Sequence, residues 1–106
     1  MGLNRGTVYA ATVVEAAGEK YYLVVSNDRR NAALHSALAV RLTSRDKPHL
    51  PSIVALSATD GPLGIGYVVC DDIVELYEDE VRAVVGIFGR HTMGRVGDGL
   101  RAALDL

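Results

Sequence analysis

Ala37-Leu38-Ala39-Val40-Arg41-Leu42-Thr43-Ser44 is the stretch on which the fold turns. Leu38, Val40 and Leu42 recur with a period of two, so in an extended chain they leave one face while Ala39, Arg41 and Thr43 leave the other. The first face is apolar and predicts a strand lying on a core. The second is small, basic and hydroxylated, the composition of a surface that a phosphate backbone approaches, or equally of an ordinary solvent-facing side. Outward from this strand lie further short runs rich in Val, Ile, Tyr and Thr: Thr7 to Val14, Lys20 to Ser26, Ser52 to Leu56 and Ile65 to Cys70. Turn signals separate them at Ala17-Gly18-Glu19, Ser26-Asn27-Asp28 and Asp60-Gly61-Pro62. Five or more short strands at this spacing predict a compact barrel or a strongly bent sheet. Asn27 or Asp28 is placed to cap a short helical turn over Arg29 to Leu34. Beyond Gly89 the period changes: Met93, Val96, Leu100 and Leu104 recur at intervals of three and four, which predicts a C-terminal helix with one apolar face. Gly94, Gly97 and Gly99 each cost that helix roughly 1 kcal/mol relative to Ala, so it must lean on the sheet or on a close neighbour. The expected class is mainly β with a C-terminal helix.

A chain of 106 residues, 49% apolar, has material for one hydrophobic core, and residues 1–106 read as a single domain. No run of eighteen apolar residues occurs and Met1-Gly2-Leu3-Asn4-Arg5 lacks the apolar stretch of a signal peptide, so a cytoplasmic protein without a membrane partner is expected. Cys70, the one cysteine, sits in the apolar run Tyr67-Val68-Val69-Cys70 and reads as a buried small hydrophobe. The net charge is -2, but it is unevenly spread. Lys20, Arg29, Arg30, Arg41, Arg45 and Lys47 face only Asp28 and Asp46 between residues 20 and 47, whereas Asp71, Asp72, Glu75, Glu78, Asp79 and Glu80 crowd the next acidic stretch. That asymmetry permits a basic groove on one side, or solvated charge on both.

Six segments, in order along the chain, resemble the MazF/PemK family. They are Arg5-Gly6-Thr7-Val8-Tyr9, Leu23-Val24-Val25-Ser26-Asn27-Asp28, Val40-Arg41-Leu42-Thr43-Ser44, Leu50-Pro51-Ser52-Ile53-Val54-Ala55-Leu56, Val68-Val69-Cys70-Asp71-Asp72-Ile73, and the closing Gly86 to Leu106. The resemblance implies an SH3-like small barrel of the MazF/CcdB toxin type and a homodimer. It implies a metal-independent endoribonuclease toxin of a type II toxin-antitoxin system, acting on single-stranded regions of mRNA or tRNA without a cofactor. It also implies a MazE-like antitoxin whose disordered C-terminal segment folds over the RNA groove. Where the family carries Arg-Pro before its second strand, this chain has Lys20-Tyr21; the preceding loop, Glu15 to Glu19, is short; and Asp72 stands in place of an amide. A short-loop actinobacterial subset with lysine at this place looks closest.

Cutting RNA without metal uses the substrate's own 2'-hydroxyl, and leaves a 2',3'-cyclic phosphate and a 5'-hydroxyl. The protein supplies a base, an acid and positive charge. Lys20 is the expected acid or electrostatic stabiliser, although an ammonium lacks the guanidinium's bidentate fork. Thr43 and Ser44 are expected to donate to the scissile phosphate and Arg41 to add charge beside them. Arg45, Arg29, Arg30, Asn27, Tyr22, His35 and Asp72 complete the expected RNA contacts. Tyr21 and Tyr22 are both of the type that stacks on bases, yet one must face the core if the run is a strand. His35 has an intrinsic affinity for protons that suits a base, but a lone His in a loop is more often merely exposed; His49 and His91 have less to commend them. The three His are too scattered, and the acidic run too irregular, for a metal site. Two other functions fit the same fold: a non-enzymatic inhibitor of DNA gyrase like the CcdB-type toxins, and a catalytically degenerate binding module.

Overall fold

A computed structural model describes residues 2–61 and 66–106. Six strands form one antiparallel sheet: β1 (Thr7–Ala11), β2 (Lys20–Val24), β3 (Ser36–Thr43), β4 (Ile53–Leu56), β5 (Gly66–Tyr77) and β6 (Val81–Ile87). Two helices accompany them, α1 (Asp28–Leu34) and α2 (Arg90–Leu104). The spatial order is β4-β5-β3-β2-β1-β6. Tyr77 ends β5 and Val81 begins β6, with only a 3-10 turn at Glu78–Glu80 between them. In a flat sheet these strands would stand four spacings apart, about 19 Å, whereas four residue steps span at most about 14 Å. The sheet therefore has to curl, and it curls into a small barrel.

The irregularity that permits the curl lies in β5. Val40 pairs with Ile73 but Arg41 pairs with Val69, so Cys70, Asp71 and Asp72 bulge out of the β3 ladder. Before the bulge β5 also pairs with β4, from Ile53↔Val69 to Leu56↔Gly66. Bulges of this kind bend a strand and increase its twist. Gly66 is essential at the start of β5: its φ is +124°, and a Cβ there would lie 2.5 Å from the Thr43 carbonyl oxygen. The close approach presses β5 against the end of β3.

Each face of the sheet carries a buried cluster, although Leu38, expected on the core face, is 39% exposed. On one, Val8, Leu23, Val40, Leu42, Val54, Val68 and Cys70 pack with Phe88 and with Met93 and Val96 of α2. On the other, Leu3, Tyr9, Ala11, Tyr22, Val24, Ala37, Ala39 and Leu76 fill the inside of the curl. The expectation that Ala39 looks outward with Arg41 fails for this reason: Ala39 is fully buried, and only the end of that face, at Arg41 and Thr43, reaches solvent.

Asn27 caps α1 by accepting a hydrogen bond from the Arg30 backbone N–H at 2.9 Å. Helix α2 starts after Gly89 as the sequence predicts, and three of its four expected apolar positions pack, Met93, Val96 and Leu100; Leu104 lies past the sheet and is half exposed. Gly99 touches Cys70 and Val54, where a Cβ would lie 2.8 Å from the Cys70 sulfur. Cys70 is fully buried and its thiol faces the Val96 carbonyl at 3.7 Å, so burial pushes its pKa up to about 11 and it behaves as a small apolar side chain. Asp60, 5% exposed, accepts from the Thr92 hydroxyl at 2.6 Å and from the Ser57 backbone at 2.8 Å, and pairs with Arg95 at 3.1 Å. Arg95 also donates to the Ala55 carbonyl, so α2 is fastened to the end of β4. Strand β6 was not foreseen. Its residues, Val81-Arg82-Ala83-Val84-Val85-Gly86-Ile87, alternate poorly because it is the sheet's outer edge and Val84 and Ile87 stand in solvent. Ile65, expected to open β5, lies outside the described residues.

Candidate active site

The register of the sheet assembles the site. Tyr21 is opposite Leu42 on β2 and β3, so one step further Lys20 is opposite Thr43. Thr43 is in turn opposite Tyr67 on β5. Residues directly opposite in an antiparallel pair share a face, with Cβ atoms about 4.5–5.5 Å apart. Lys20, Thr43 and Tyr67 therefore stand in one row across three strands, about 10 Å from end to end.

This row borders a cavity of about 420 Å³ lined by Glu19, Lys20, Tyr21, Leu42, Thr43, Ser44, Arg45, Leu56 and Tyr67. Its two expected chemical groups, amine and alcohol, are thus brought together from strands distant in sequence. The Thr43 hydroxyl oxygen accepts the Arg45 backbone N–H at 3.2 Å, which leaves its proton free to donate into the cavity. Thr43 and Lys20 are half buried, whereas Ser44 and Arg45 are exposed. Among the described residues neither Lys20 nor Arg45 enters an ion pair within 4 Å. Lys20 and Arg45 thus bring two cations to the cavity, with the Glu19 carboxylate also in its lining.

The other residues expected to touch RNA are placed differently. Arg41 lies beside the row, two residues before Thr43 on the same strand face, but its Nε is 3.6 Å from Asp72 and has no hydrogen-bond partner although it is buried. The Arg41–Asp72 pair straddles the β5 bulge, so Asp72 holds the bend rather than lining the cavity. Arg30 donates to the Ser36 carbonyl at 2.8 Å and pairs with Glu75 at 3.7 Å, which ties α1 to the sheet. Asn27 is spent on the α1 cap, and Arg29 is exposed on that helix, outside the cavity lining. His35 terminates α1 in the left-handed conformation with φ of 55°, and none of the three His lines the cavity. Tyr22 is 4% exposed in the inner core and its pKa is raised, first by burial and then by Asp72. Tyr21, by contrast, is 42% exposed and lines the cavity.

Sequence reasoning missed Glu19, Leu56 and Tyr67. Tyr67 was visible only as the first residue of an apolar run, because its place beside Thr43 depends on a pairing between strands 24 residues apart. Among the described residues no group of three His, Cys, Asp or Glu is arranged to hold a metal ion, and no helix is long and apolar enough to cross a membrane.

Comparison with known proteins agrees with this fold. Residues 4–104 match the family described as PemK-like, MazF-like toxin of type II toxin-antitoxin system. The chain is 37% identical over 102 residues to endoribonuclease MazF1 of Mycobacterium bovis and, to the same extent, to endoribonuclease MazF4 of Mycobacterium tuberculosis, covering 96% of this chain and 92% of each relative. Among solved structures, an endoribonuclease in complex with its cognate antitoxin from a mycobacterial species superposes with a TM-score of 0.88 at 36% identity, covering 98% of this chain and 96% of that one.

Proposed function

The chain belongs to the PemK-like, MazF-like toxin family of type II toxin-antitoxin systems, and from that premise we propose that it is an endoribonuclease that cuts RNA at the cavity between β2, β3 and β5. The observation that carries this reading is that Lys20 and Thr43 line one cavity, with no carboxylate paired to the amine among the described residues.

In the proposed reaction the scissile phosphate sits over that row. Thr43 and Ser44 donate hydroxyl hydrogen bonds to its non-bridging oxygens. Lys20 offsets the charge that develops on phosphorus and protonates the departing 5'-oxygen. Arg45, and Arg41 from the side, add positive charge for the flanking phosphates. Tyr21 and Tyr67 present aromatic surface for the neighbouring bases, and Leu42 and Leu56 give the cavity an apolar floor. The products are a 2',3'-cyclic phosphate and a 5'-hydroxyl. The partner in this proposal is a cognate antitoxin, since the solved mycobacterial relative is in complex with one. The antitoxin's C-terminal segment covers this groove in the proposed complex, and the proposed setting is the cytoplasm. A homodimer completes the proposal, supported by the outer edge strand β6, which leaves Val84 61% and Ile87 69% exposed and in need of cover.

Incubating the purified protein with mixed cellular RNA in EDTA tests the reading. New 5'-hydroxyl ends are expected, and Lys20→Ala and Thr43→Ala should each slow their appearance by about 100-fold or more. Intact RNA from the wild-type protein would defeat the proposal. Intact RNA together with trapped gyrase would replace it with the gyrase-inhibitor function.

A further inference from the structure

Three charged groups line the cavity, and only two of them are cationic. We propose that the third, Glu19, is the general base that takes the proton from the attacking 2'-hydroxyl; this rests on the endoribonuclease reading above.

The residues around the cavity leave little choice. Lys20 and Arg45 carry protons, Tyr21, Thr43, Ser44 and Tyr67 are hydroxyls, and Leu42 and Leu56 are inert. Residues 62–65 are Pro-Leu-Gly-Ile in sequence and contain no side chain that accepts a proton. Among the described residues Glu19 is the one carboxylate in the lining, and no His contributes to it.

Its surroundings also leave it available. Among the described residues Asp28, Asp60, Asp71, Asp72, Glu75, Glu80 and Asp98 all hold hydrogen bonds or ion pairs with other parts of the protein. Glu19 has no such partner there, although Lys20 follows it directly. The local backbone explains its placement. A 3-10 turn at Glu15–Ala17 ends on Gly18, whose φ of 75° suits glycine, and Glu19 then precedes the first residue of β2. Strand alternation commits Lys20 to the row with Thr43, while Glu19, one step outside the strand, reaches the same cavity from its rim.

The step balances. A Glu19 carboxylate oxygen accepts the 2'-hydroxyl proton as the O2' lone pair forms its bond to phosphorus. The bond from phosphorus to O5' breaks with its electron pair on O5', which takes a proton from the Lys20 ammonium. Glu19 then releases its proton to solvent and Lys20 recovers one, which restores the site.

The test is single-turnover cleavage of an RNA oligonucleotide bearing a site mapped with the wild-type protein, followed from pH 4 to 9, with binding measured on its 2'-deoxy counterpart. Glu19→Gln is expected to slow cleavage by about 100-fold, to abolish the fall in rate on the acid side, and to leave binding within about threefold. Glu19→Asp should recover part of the rate, and Asp46→Asn, a carboxylate outside the cavity, should cut like the wild type. A Glu19→Gln protein that cuts within about fivefold of wild type, that keeps the wild-type pH profile, or whose loss lies in binding overturns the assignment. Failure of the wild-type protein to cut at all overturns the endoribonuclease reading itself, and the two failures are told apart by that control.

Discussion

Two adjacent tyrosines show how much rides on a single residue step. Tyr21 and Tyr22 leave opposite faces of β2, so Tyr22 enters the inner core at 4% exposure and Tyr21 enters the cavity at 42%. Tyr22→Ala empties a packed site and should cost about 3 kcal/mol or more of folding stability, read as the shift of the urea midpoint. Tyr21→Ala should leave that midpoint nearly unchanged and weaken RNA binding by roughly tenfold, the order of one lost base-stacking contact. The sequence shows that one of the pair faces inward but not which, because the answer depends on register, and a slip of one residue exchanges the faces. Lys20 and Thr43 were named from the resemblance to the MazF/PemK family, and strand pairing is what brings both to one cavity. For Asn27, Arg30 and Arg41 the sequence names candidates for RNA contact without showing their partners inside the protein: a helix cap, the Ser36 carbonyl and Asp72.

At the scale of the element, α2 carries glycines of two kinds. Gly99 is pressed onto Cys70 and Val54, whereas Gly94 has nothing within 4 Å of an added Cβ. Gly99→Ala should therefore destabilise the fold by roughly 1–3 kcal/mol through overpacking. Gly94→Ala should stabilise it by about 0.5–1 kcal/mol through helix propensity, with chemical denaturation reporting both. The helix was predicted from its period, but the spacing of glycines could not tell a close contact from an open surface. The same helix is fastened through Asp60, whose hydrogen bonds from Thr92 and Ser57 hold its pKa at about 2. A carboxyl depressed in the folded state contributes stability that is complete above its ordinary value near 4 and is lost as pH falls through about 2. Stability should thus decline by about 1–2 kcal/mol over that window on account of Asp60, and Asp60→Asn should flatten this part of the profile while lowering stability at neutral pH. Strand β6 escaped the sequence reading because an exposed edge has no buried face to impose a period of two on its residues.

On the scale of the whole molecule, the bulge at Cys70–Asp72 and the short turn before β6 make the sheet curl, and the curl is what leaves an open cavity at the ends of β2, β3 and β5. Chain order places residues 20, 43 and 67 far apart; sheet order places them side by side. The barrel class was legible because strand count, strand length and turn spacing are local properties. The cavity was not, since it is made by strand pairing, and Glu19, Leu56 and Tyr67 have no local signature of their place in it. If Lys20 and Thr43 serve one phosphodiester, they form a unit, and removing either should cost most of what removing both costs. The most direct measurement is a double-mutant cycle on single-turnover cleavage of one mapped RNA site, using Lys20→Ala, Thr43→Ala and the double variant. The account predicts that the double variant is only slightly slower than the slower single variant. Rate losses that multiply in full, as for two independent residues, would contradict it.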